Sequence, residues 1–112
     1  VLIKEDILKR CKKDDLYIQN DKEYYFCVGA ILQDLKRCSK EFIKIEQSLN
    51  LCASPEAFDR LFKDYAKKCV ITGLSKQFAE GSKKRKILAG IYAYKPETLD
   101  KDTFWDGFII GF

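Results

Sequence analysis

Apolar residues recur at three- and four-residue spacing along most of this chain, and no segment alternates apolar with polar residues for long enough to demand a strand. In "KEYYFCVGAILQDLKRCSK" (22–40), Tyr24, Cys27, Val28, Ile31, Leu35 and Cys38 fall at i, i+3, i+4, i+7, i+11 and i+14, one buried face of a helix. Asp21 is a suitable N-cap for it, and Gly29 and Ala30 are small enough to let a neighbouring backbone approach. In "SPEAFDRLFKDYAKKCVITG", Ser54 caps, Pro55 takes the first helical position, Glu56 suits the positive dipole end, and Gly73 stands where the helix should stop. Its core stripe is Phe58, Leu61, Phe62, Tyr65, Ala66 and Cys69. Shorter helices are expected over 3–13 and 41–52. Another follows Ser82 and stops before Pro96, with Ile87, Leu88, Ile91 and Tyr94 inward. A last one, capped by Asp100 or Asp102, carries Phe104, Trp105, Phe108, Ile109 and Phe112, with Gly107 and Gly111 spaced for close packing. The expected fold is all-α: a single helical bundle of five or six helices over residues 1–112.

At 112 residues the chain has the length of one domain that can bury its own core. Its longest uncharged run, 24–33, is far below the roughly 20 apolar residues of a membrane span. The first ten residues interleave acids and bases, unlike a secretory signal. The five cysteines, Cys11, Cys27, Cys38, Cys52 and Cys69, are odd in number and form no C-x-x-C pair, so they read as free, mostly buried thiols in a reducing cytoplasm.

The net charge of +4 is concentrated in one stretch. Residues 76–86 hold Lys76, Lys83, Lys84, Arg85 and Lys86 against Glu80 alone, while the rest of the chain balances 16 bases with 16 acids. Four of these cations occupy the first turn of a helix, where the macrodipole disfavours each by roughly 0.3–1 kcal/mol. Clustering of this kind is the electrostatic footprint of a polyanion site. Arg60, Lys63 and Lys67, with Lys68 alongside, add a basic outer face to the helix before it, mixed there with Asp59 and Asp64. On the helix after Ser82, Arg85 and Lys86 project outward beside Ala89 and Ala93, whereas Lys84 lies on the apolar side and must extend its stem past the core rim.

Catalytic patterns are absent. The chain has no histidine, and its "GSK" at 81–83 lacks the glycine and Ser/Thr that a phosphate loop needs. The pairs Asp14–Asp15 and Asp100–Asp102 read as caps and turn residues rather than metal ligands. The expectation is a binding protein with no catalytic residue, metal or cofactor. Tyr17, Tyr24, Tyr25, Tyr92, Tyr94 and Trp105 are potential stacking surfaces for bases, but most lie on or beside an apolar stripe and each reads first as core.

The runs "EYYFCVGAILQDLKRCSK", "FDRLFKDYAKK" and "ILAGIYAYKPETLDKDTFWDGFIIGF" together resemble the C-terminal helical region of the large subunit of type I-B CRISPR effector complexes (Cascade). The matching features are the aromatic helix with embedded Gly29, the basic segment with Lys36, Arg37 and Lys40, the stretch "GIYAYKP", and Phe104 with Gly107 and Phe108. In that family the region is also made separately, as the small subunit, by internal translation. A chain with no methionine that opens on Val1 fits a GTG start, and a fragment boundary would leave Val1 first as well. The resemblance implies a non-catalytic bundle present in several copies, bridging the large and backbone subunits and touching the guide RNA only indirectly. Its cations would hold target DNA, particularly the displaced non-target strand. The competing expectation is a purely structural subunit that docks on protein neighbours through Phe26 and Ala30 or Ala89 and Ala93.

Overall fold

In a computed structural model, residues 2–13, 16–36, 40–71, 78 and 82–112 are described, and they form six helices with no strand among them. In chain order these are α1 (Leu2–Lys12), α2 (Asp21–Leu35), α3 (Phe42–Leu51), α4 (Pro55–Ile71), α5 (Lys83–Ala93) and α6 (Lys101–Ile110). The fold is the all-α bundle that the periodicity demands.

Side-chain oxygens set four of the helix starts. Ser54 Oγ accepts from Ala57 N–H at 3.1 Å, Ser82 Oγ from Arg85 N–H at 3.2 Å, and Asp100 from Thr103 N–H at 3.0 Å, which decides between Asp100 and Asp102. At α2 the cap is Asn20, whose Oδ1 accepts from Glu23 N–H at 3.0 Å, and not Asp21 as the sequence suggests. The Asp21 carboxylate is engaged elsewhere. It accepts from the Tyr94 hydroxyl at 2.6 Å, from Thr98 N–H at 2.9 Å, from the Thr98 hydroxyl at 2.6 Å and from Glu97 N–H at 3.3 Å, tying the α5–α6 connection to the head of α2. The α2 helix also stops at Leu35, with Lys36 as its C-cap, short of the expected 22–40 span. Cys38 and Gly73 lie outside the described residues.

α2 is the central helix. It packs most extensively against α6 and also against α1, α4 and α5, so Tyr24 through Leu32 are buried without interruption rather than along one stripe. Phe26 and Ala30, expected as outward docking residues, are 2% and 0% exposed and belong to this core. Gly29 and Gly107 set the α2–α6 distance: a Cβ on Gly29 would lie 1.9 Å from the Phe104 carbonyl oxygen, and one on Gly107 would lie 2.2 Å from that of Phe26. Around this contact, Phe58 packs edge-on against Tyr25 and Phe104, Trp105 against Phe104 and Phe108, and Phe42 of α3 stacks on Phe108. Cys11, Cys27 and Cys69 are buried and Cys52 is partly buried, all four as free thiols. Burial pushes the thiols of Cys11, Cys27 and Cys52 up, which suits packing rather than reactivity.

Asp21 also makes the bundle sensitive to acid. Burial acts to raise its pKa, but the Thr98 and Tyr94 side chains and the backbone N–H groups of Thr98 and Glu97 outweigh it, so the carboxyl sits below its ordinary value of 3.8. A lowered folded-state pKa contributes stability that is present above about pH 4 and lost as pH falls through the folded value. Thermal melts between pH 6 and pH 2 should therefore show a decline in acid that is shallower in Asp21→Asn, with the variant already less stable than the parent at pH 6.

Candidate nucleic-acid interface

The four consecutive cations at the start of α5 are separated by the helix itself, since successive side chains project about 100° apart. Lys84 turns to α2, its Nζ 2.8 Å from Asp34 Oδ2. Arg85 donates from Nη1 to the Phe78 carbonyl at 3.1 Å. Lys83 and Lys86 stand one turn apart on α5; burial raises the pKa of the Cys11 thiol on α1, and the charges of Lys83, Lys86 and Arg10 oppose that rise. Cys11 belongs to the C-terminal turn of α1, whose carbonyl dipole favours cations. The charge that the α5 dipole disfavours is thus met in part within the chain, by the Asp34 carboxylate and the Phe78 carbonyl.

The same arrangement concentrates charge. α1 closes on Lys9, Arg10 and Lys12, with Lys13 following, so the α1–α5 contact joins two basic segments about seventy residues apart in sequence. Arg10 is held at 2.6 Å by Glu23 and donates to the Tyr17 carbonyl at 2.6 Å. Lys12, Lys13 and Lys83 are exposed, and Lys86 is partly so. The α1 residues escape a reading of sequence because Lys9, Arg10, Lys12 and Lys13 stand among Asp6, Asp14 and Asp15 and leave a local excess of only one charge.

The other expected cations stand on α4 and on the segments that flank α2 and α4. On α4, Lys63 is a tie within the fold, pairing with Asp59 at 2.8 Å and donating to the Tyr94 carbonyl at 2.6 Å. Lys67 lies with its Nζ 5.6 Å from the centroid of the Tyr92 ring, and Arg60 is exposed. Lys68 borders an open pocket of about 250 Å³ between α3 and α4, beside Glu41 and Asp64. Lys36 and Lys40 are exposed; Arg37 and Lys76 lie outside the described residues.

Of the aromatic candidates, Tyr24 and Tyr25 are fully buried, and their hydroxyls donate to Asp59 and to the Thr98 carbonyl. Tyr92, Tyr94 and Trp105 are partly buried against the core. Tyr17 departs from the core reading: it is 57% exposed, with the Arg10 guanidinium carbon 5.9 Å from its ring centroid. It forms one wall of an open groove of about 210 Å³ whose other side is Ala89, Gly90 and Ala93 of α5.

No family model, curated protein or solved structure matches the chain. Chemistry must therefore be read from the surface itself. Among the described residues, no three His, Cys, Asp or Glu side chains come together as a metal site, and no helix is long and apolar enough to cross a membrane. The α1–α5 junction offers cations on two touching helices beside an exposed aromatic ring. Such a surface can hold an anionic polymer by its backbone and place a planar group next to it.

Proposed function

We propose that this chain is a non-catalytic helical subunit of an RNA-guided DNA-surveillance complex of type I-B Cascade character, and that its α1–α5 face lies along a nucleic-acid strand. The observation that carries this reading is the α1–α5 contact, which brings a helix closing on Lys9, Arg10 and Lys12 against one that opens on Lys83 and leaves Lys12, Lys13 and Lys83 exposed. Guide pairing reads sequence in complexes of this kind, so a subunit that grips backbones without reading bases fits the division of labour. Within this proposal the strand is the displaced non-target strand, and the large and backbone subunits are the protein neighbours. Affinity purification of the tagged chain from its native cell tests it: guide RNA and large backbone proteins should come with the chain, and their absence would overturn the assignment.

The separate fates of the α5 cations give a sharper check. Lys83→Ala should leave the melting temperature unchanged and reduce the salt dependence of single-stranded DNA binding by about 0.7 in the log–log slope, one phosphate contact. Lys84→Ala should do the reverse: the slope stays, and urea unfolding shows a loss of about 1 kcal/mol from the broken Asp34 pair. Equal effects of the two substitutions on binding would remove the α1–α5 face as the strand's path.

A second reading, a structural subunit without nucleic-acid contact, is favoured by the exposed apolar side chains Ile43 of α3 and Ile109 of α6, which are 68% and 74% exposed. Under that reading Ile109→Ser would abolish copurification while Lys83→Ala would not.

A further inference from the structure

We propose that the groove between residues 16–18 and α5 seats one unpaired base of a single strand, stacked on the Tyr17 ring, with Lys83 on an adjoining phosphate. This rests on the reading of the α1–α5 face as a strand path and deepens it from backbone contact to a base pocket.

The geometry has three parts. Lys83, Lys86, Gly90 and Ala93 fall at i, i+3, i+7 and i+10 on α5, so one helix face about 15 Å long runs from two cations into a smooth floor, where Ala89 and Ala93 are exposed and Gly90 is covered by Leu16 and Ile18. The wall opposite that floor is Leu16, Tyr17 and Ile18. Tyr17 is held in place from behind, its carbonyl accepting from Arg10 Nη1 at 2.6 Å while Arg10 Nη2 is pinned by Glu23 at 2.6 Å. The guanidinium also packs against the Tyr17 ring. An exposed aromatic ring whose backbone is tied to a partly buried ion pair has less freedom to lose on stacking, which lowers the entropy cost of binding.

Size and charge select the occupant. At about 210 Å³ the groove is smaller than the roughly 300–1,000 Å³ of most small-molecule sites, and it suits one flat ring entering from a longer polymer. The cations at its head complement a polyanion. In a duplex the bases are stacked and paired, so turning one toward Tyr17 costs unpairing free energy that a single strand does not spend.

The test compares binding of the 112-residue chain to a thymidine oligonucleotide and to an abasic oligonucleotide of equal length, which offers the same phosphates and no bases. The parent should prefer the thymidine strand. Tyr17→Ala should weaken thymidine binding about tenfold and leave abasic binding unchanged, abolishing the preference, while Tyr17→Phe keeps it. Lys83→Ala should weaken both strands alike. Circular dichroism melts confirm that each variant is folded. A Tyr17→Ala variant that retains the preference, a parent that binds neither strand, or an acidic peptide that displaces the thymidine strand in a Tyr17-dependent manner would each overturn the base pocket. Its failure is distinguishable from failure of the functional assignment: copurification with guide RNA alongside a lost base preference removes only the pocket, and the opposite pair of results removes only the complex.

Discussion

Gly29→Ala will destabilise the protein by about 3 kcal/mol, at the upper end of what overpacking a core costs. The added methyl would sit 1.9 Å from the Phe104 carbonyl oxygen and 2.7 Å from the Phe108 backbone nitrogen, so what it meets is main chain and not the movable end of a side chain. Relief requires α6 to move off α2, opening the most extensive helix contact in the molecule. In a domain of this size the loss corresponds to a fall in melting temperature on the order of 10–20 °C. Gly107→Ala should behave alike, because its Cβ would meet the Phe26 carbonyl at 2.2 Å. Gly90→Ala is the contrasting case. Its Cβ would find Leu16 and Ile18 side-chain atoms at 3.7–3.8 Å, ordinary contact, so removing a helical glycine there should stabilise by about 0.5–1 kcal/mol. A uniform response of the three glycines to alanine in urea unfolding would refute the close α2–α6 approach.

Such contrasts show which parts of the molecule could be read from sequence. Helix positions could, because caps such as Ser54, Ser82 and Asp100 and the three-and-four spacing act over a few residues. The close approach at Gly29 and Gly107 was legible for the same reason: a small residue inside an apolar helix leaves little else to explain it. Long-range choices were not. Asp21 is a chemically sound N-cap, yet its carboxylate serves Tyr94 and Thr98, more than seventy residues away, and Asn20 takes the capping position. The continuous burial of α2 depends on how many neighbours surround it, which periodicity cannot count.

The basic site divides along the same line. That Lys84 points toward the apolar side followed from helix geometry, but its partner Asp34 lies on another helix fifty residues earlier. The contribution of α1 was hidden, since Lys12 and Lys13 are charge-balanced in sequence by Asp14 and Asp15. Tyr17 reads as core from sequence only because most of the chain's aromatics lie on or beside apolar stripes. The chain there runs between helices, so alternate side chains can face opposite ways, and Ile18 is 8% exposed while Tyr17 is 57% exposed.

The second large effect concerns the aromatic cluster itself. Phe104 is fully buried, with Phe58 at 5.0 Å and Trp105 at 4.7 Å between ring centroids, and its carbonyl is the atom that Gly29 admits. Phe104→Ala removes a ring that neighbouring helices cannot close upon, because the glycines already hold α2 and α6 at their closest separation; a cavity remains, and about 3–5 kcal/mol should be lost. Phe104→Leu fills most of that volume and should cost about half as much, chiefly through lost edge-to-face contacts with Phe58 and Trp105. Urea midpoints measure both. Because the cations belong to α1 and α5, each variant should bind single-stranded DNA like the parent at temperatures where it stays folded. A loss of binding in the folded Phe104→Leu protein would mean that the strand's path runs over α6, not along the α1–α5 junction.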